Sequence, residues 1–150
     1  MKTESAVWER VNARDGITAE QALLPERLAE LMMGEAQLAA AFSRLAGRLS
    51  GADGAMMRRL RAQGESRVRR LRTEYYLLSG MRADIRPPEV PFYPSICEAL
   101  RAQCQSLLTL QKKYDETARE FPACAALPEE SRAALRQTRS AVIRILEKHL

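Results

Sequence analysis

One histidine, one tryptophan and three cysteines are all that this 150-residue chain holds of those types, and aromatics make up only 5%. Each scarcity excludes something. The lone histidine is His149, the penultimate residue, so the body of the chain offers no imidazole for metal ligation, proton transfer or activation of a nucleophile. An odd number of cysteines does not make a disulfide framework and suits a reducing compartment, so the expected setting is the cytoplasm. Cys97 and Cys104 would lie about 10 Å apart along a helix, too far for a bridge. With no C-x-x-C pair, the three thiols read as two helix residues and one loop residue instead of zinc ligands.

No apolar run approaches the roughly 20 residues that a membrane-spanning helix requires. The charged start, MKTESAVWERVNARDG, lacks the apolar stretch of a secretory signal. Val, Ile, Thr and Tyr never cluster, which leaves little material for a sheet. Glycine-rich phosphate loops, nucleophile elbows and Ser/His/Asp constellations are missing as well.

What is abundant favours helix. Leu, Ala, Arg, Glu and Gln dominate, with 46% hydrophobic and 29% charged residues, the composition of a folded helical domain. The net charge of +5 comes mainly from arginine; it permits an anionic partner and specifies none.

Two segments emerge: an extension over residues 1–24 and a bundle over 25–150. In the first, Val7, Trp8 and Val11 form a short amphipathic helix ended by Asp15-Gly16, with Trp8 docking on the main body, and Thr18 to Gln21 reads as a capping box. The first long helix spans about Pro25 to Ser50, with Leu28, Leu31, Met32, Leu38, Phe42, Leu45 and Leu49 spaced by threes and fours. Gly51 ends it. The second begins near Asp53 and turns Met57, Leu60, Val68, Leu71, Tyr75 and Leu78 inward before stopping at Gly80. Residues 81–93, with Pro87, Pro88 and Pro91, make an extended crossover. A third helix from Pro94-Ser95 carries Ile96, Leu100, Leu107, Leu110, Tyr114 and Phe121 and ends at Pro122. The fourth, from Pro128, carries Leu135, Val142, Ile145 and Leu146. Two helical pairs joined by one long connection predict an all-α, antiparallel four-helix bundle in which the second and third helices run parallel, the connectivity of ferritin-like bundles.

Helical stretches strengthen that expectation. Glu35-Ala-Gln-Leu-Ala-Ala-Ala-Phe42 resembles the glutamate-then-aromatic stretch of the rubrerythrin-type branch of the ferritin-like superfamily. Leu60 to Leu71, with Glu65, followed by Tyr75-Tyr76-Leu-Leu-Ser-Gly80, is similar to the family's helix bearing Glu-x-x-His. The resemblance covers about residues 25–150. It implies two iron or manganese ions held by one glutamate from each of two helices and a Glu-x-x-His from each of the other two. Carried over position by position, Glu35 and Glu65 stand at ligand positions. Val68 replaces the second helix's histidine, Leu107 the third helix's glutamate, and Arg139 and Val142 the fourth helix's pair. Two of six ligands remain, both in the first half of the bundle.

Independently of family, Glu35 lies on an apolar stripe, where a carboxylate must find a partner, reach solvent at the stripe's edge, or bear a desolvation cost. One expectation is that Arg139 fills the vacated metal space and pairs with Glu35, Glu65 or both, since a guanidinium fork can satisfy two carboxylates. The arginines Arg58, Arg59, Arg61, Arg67, Arg69, Arg70 and Arg72 read as a solvated face surrounding much of the second helix. Met32, Met33, Met56 and Met57 read as core filler. The functional expectation is a non-catalytic binding or assembly module with no cofactor, acting on a protein partner or on a second copy of itself. One alternative is an iron- or manganese-dependent oxidoreductase using Glu35 and Glu65. A second is weak nucleic-acid binding through the arginine-rich helix.

Overall fold

The computed structural model describes residues 23–122 and 126–150. Among them the regular elements are four long helices: α1 (Leu24–Arg48), α2 (Gly51–Ser79), α3 (Ile96–Glu120) and α4 (Ala126–Lys148), and there is no strand. The Val7–Trp8 helix, the Thr18 capping box and the Cys124 thiol lie outside the described residues.

Local chemistry sets the helix ends. Pro25 occupies the first turn of α1, where its missing N–H is no loss. Leu49 leaves the helix in an extended conformation, and Gly51 takes a positive φ of 58°, so the reversal between α1 and α2 uses a conformation glycine adopts without strain. Gly80, at φ 71°, closes α2 by donating its N–H to the Tyr76 carbonyl at 2.8 Å. At the start of α3, the Ser95 hydroxyl accepts from the Glu98 amide at 3.2 Å, satisfying an otherwise orphaned donor.

The helices share one core. From α1 come Leu28, Leu31, Met32, Leu38, Phe42 and Leu45. From α2 come Met57, Leu60 and Leu71, from α3 Leu100, Leu107, Leu110 and Tyr114, and from α4 Leu135, Val142 and Ile145. Each set repeats at three and four residues, so burying one stripe per helix removes these side chains from water together. α1 packs most closely on α2, and α3 on α4; α1 also faces α3, while α2 and α4 touch more lightly.

The connection of residues 80–95 is tied down by arginines instead of by secondary structure. Arg44 donates to the Val90 carbonyl at 2.6 Å. Arg48 donates to the Tyr93 and Pro94 carbonyls at 2.7 and 2.8 Å, and its guanidinium lies 5.7 Å from the Phe92 ring centre. Four prolines, Pro87, Pro88, Pro91 and Pro94, leave this segment few backbone donors of its own, so side-chain donors from α1 fix its path.

Candidate functional site

The deepest polar group is Glu35. Its place between Met32 and Leu38 puts it on the core face of α1, and it is 0% exposed. A carboxylate there needs compensation. It receives it from two neighbouring helices. Arg67 of α2, its side chain 8% exposed, donates through Nε to Glu35 Oε2. The Tyr114 hydroxyl of α3 donates to the same oxygen at 3.0 Å. Ser131 of α4, itself buried, lies beside the Tyr114 hydroxyl. One polar side chain from each helix thus converges on one point in the core.

Small residues line the approach of α1 and α2 beside this group. A Cβ on Gly64 would sit 3.6 Å from the Ala39 Cβ, 3.8 Å from the Glu35 carbonyl oxygen and 3.9 Å from an Arg67 nitrogen. Gly64 and Ala39 therefore form the seam along which α1 and α2 approach, and the guanidinium reaches the carboxylate from beside it.

Burial pushes the Glu35 carboxyl above its usual range, opposed by the Arg67 charge and by the hydrogen bonds from Arg67 and Tyr114. Burial also raises the Tyr114 hydroxyl, helped by the Glu35 charge, so this phenol stays protonated and donates. Glu35 Oε1 is buried and has no hydrogen-bond partner among the described residues.

The other sequence-selected residues do not converge on Glu35. Glu65 is 45% exposed and pairs with Arg61 at 2.9 Å; with Val68 it lines an outer groove against Ala36 and Ala39. Arg139 is half-buried on α4 and lies near Cys104 of α3; its Nε has no hydrogen-bond partner among the described residues. The cation that meets Glu35 is Arg67, not Arg139. The reason is register. The buried face of α2 runs Met57, Leu60, Gly64, Arg67 and Leu71, so at this level position 67 points inward while 65 and 68 fall on the flank. For the same reason Arg67 leaves the solvated face expected of it. Leu107 and Val142 are fully buried core residues.

The remaining arginines of α2 stay outside. Arg61 is held by Glu65, and Arg70 by Glu130 of α4 at 2.7 Å. Arg58, Arg59, Arg69 and Arg72 are exposed. The missed signal was available in the sequence: Arg67 stands between Gly64 and Leu71 at helical spacing, on the stripe itself. Tyr114 was legible as an inward residue, whereas the role of its hydroxyl was not.

The donors do not fit a di-metal centre. Among the described residues no group of three or more His, Cys, Asp or Glu is placed to hold a metal ion. Glu35 is the one carboxylate among the buried polar side chains of the described residues, and its free Oε1 lies next to a guanidinium that would repel a divalent cation. Comparison with family models, curated proteins and solved structures finds no match.

Proposed function

We propose that this chain is a non-catalytic binding or assembly module, built on an antiparallel four-helix bundle of ferritin-like connectivity. In it a Glu35–Arg67–Tyr114 network stands where the relatives implied by the resemblance hold two metal ions. The observation that carries this reading is the Arg67 guanidinium on Glu35: positive charge comes from a side chain already in place.

Support for the connectivity comes from ion pairs that join the start of one helix to the end of another. Arg27 of α1 meets Glu120 of α3, Lys148 of α4 meets Asp53 of α2, and Arg70 late in α2 meets Glu130 early in α4. Support for a binding role comes from the surface. Leu77 and Met81 are more than half exposed where α2 passes into the connection, and exposed apolar side chains, methionine among them, are what protein interfaces use.

The test is metal content after incubation with ferrous or manganous ion and removal of the excess. Substoichiometric metal that Glu35→Ala leaves unchanged, with no shift in thermal stability on adding either ion, is expected. Stoichiometric metal lost in Glu35→Ala would replace this reading with that of a di-metal oxidoreductase. Sedimentation velocity then separates self-assembly from a different protein partner.

A further inference from the structure

Where α2 passes into the connection, a surface cleft of about 630 Å³ is lined by Arg69, Arg72, Thr73, Tyr76, Arg82 and Ala83. Two guanidiniums come from α2, one turn apart, and the third from the connection. No carboxylate lines the cleft, and none of these three arginines makes an ion pair among the described residues. Arg61, Arg67, Arg70 and Arg86 each hold a carboxylate; among the described residues Arg69, Arg72 and Arg82 do not, and what sets these three apart from the equally unpaired Arg58 and Arg59 is that they share one cleft. Three like charges gathered around one concavity repel one another until an anion enters.

We infer that this cleft is a binding site for a nucleoside phosphate, with the arginines on the phosphate oxygens and the Tyr76 ring against the base. Guanidinium forks match phosphate oxygens in geometry and charge. Three of them exceed what a single carboxylate neutralises and suit a diphosphate. Tyr76 is 54% exposed and supplies the flat face on which a base stacks. Thr73 contributes shape more than polarity, since its hydroxyl is spent on the Arg69 carbonyl at 3.1 Å. The site is independent of the Glu35 network and of whether the bundle is catalytic.

The nucleotide has two sources, free in solution or as a unit of a single strand. Arg58 stands eleven residues before Arg69, about 16 Å along the same face of α2, and only a strand would reach from the cleft to it.

The experiment titrates the full chain at low ionic strength with ADP, with inorganic pyrophosphate and with a short oligoglutamate peptide, using calorimetry and amide chemical shifts. ADP is expected to bind roughly tenfold more tightly than pyrophosphate. Tyr76→Ala removes that advantage and leaves pyrophosphate unchanged. Arg72→Gln and Arg82→Gln each weaken both ligands by about tenfold, the effect of one charge-assisted contact, while Arg136→Gln on α4 does nothing. All of these positions are exposed, and an unchanged melting temperature certifies the fold of each variant. No binding at millimolar ADP, equal affinity for ADP and pyrophosphate, insensitivity to the arginine substitutions, or oligoglutamate competing as well as ADP would each overturn the assignment. A twelve-residue oligouridylate that binds more tightly than the mononucleotide and weakens on Arg58→Gln supports the site with a strand as the source. Equal affinity of the two supports it with the free nucleotide as the source.

Discussion

Substituting Arg67 by Met keeps an unbranched apolar stem and removes the guanidinium, leaving the buried Glu35 carboxylate with Tyr114 as its one remaining donor. Removing one partner of a buried ion pair costs about 3–5 kcal/mol, because the orphaned charge stays desolvated. Glu35 has an escape in taking up a proton, which its raised pKa already eases, so a loss near 3 kcal/mol at neutral pH is expected. In a domain of this size that lowers Tm by roughly 10 °C. The sign of the pH effect follows from linkage. A carboxyl whose folded pKa is raised contributes stability below its unfolded value, about 4.3, and loses that contribution as pH rises through the folded value. Without Arg67, which lowers the Glu35 pKa, the folded value moves higher, so the Arg67→Met loss should grow from pH 5 to pH 8. Glu35→Leu combined with Arg67→Met should recover most of the loss, since no charge is then stranded. The assay is urea unfolding of the four members of this cycle at pH 5, 7 and 8. A loss below about 0.5 kcal/mol, a loss independent of pH, or a double variant as unstable as the sum of the singles would refute the reasoning.

Four further outcomes are expected. Gly54→Ala brings a Cβ to 2.7 Å from the Leu49 carbonyl oxygen, backbone that cannot swing aside, and should cost about 1–3 kcal/mol. Gly64→Ala meets only ordinary contacts and should gain up to about 1 kcal/mol from helix propensity; thermal melts of the two variants should therefore shift in opposite directions. Tyr114→Phe deletes the hydroxyl on Glu35 Oε2 and should cost about 1.5–3 kcal/mol in urea unfolding, as for hydrogen bonds to charged groups. Arg48→Ala removes the bonds to the Tyr93 and Pro94 carbonyls and should speed limited proteolysis within residues 81–93 while leaving mid-α2 uncut; unchanged cleavage would mean the connection is held by its apolar contacts.

The four helices were legible because their signals are local. Pro25, Gly51, Gly80, Ser95 and Pro122 each fix backbone torsions or cap a terminus within a few residues, and the observed ends fall within two or three residues of those signs. The inward stripes of α1, α3 and α4 were legible for a related reason: apolar side chains at helical spacing have one face to bury. The stripe of α2 was read less well. Its helix carries more arginine than leucine, so periodicity gave Val68 the inward place, when packing at the Gly64–Ala39 seam sets the rotation that turns Arg67 in and leaves Val68 on the flank.

By itself, then, the sequence determined an all-helical chain, two helical pairs joined by a proline-rich connection, and a core without histidine. It also placed Glu35 on an apolar stripe, leaving open whether the carboxylate reaches solvent at the stripe's edge or meets a partner inside. Which cation answers it was decided by tertiary structure alone. Arg67 lies 32 positions away and Tyr114 79 positions away, and contacts that long depend on how each helix is rotated about its axis. That rotation is set by the summed fit of all the packed faces, a quantity no local stretch of sequence contains.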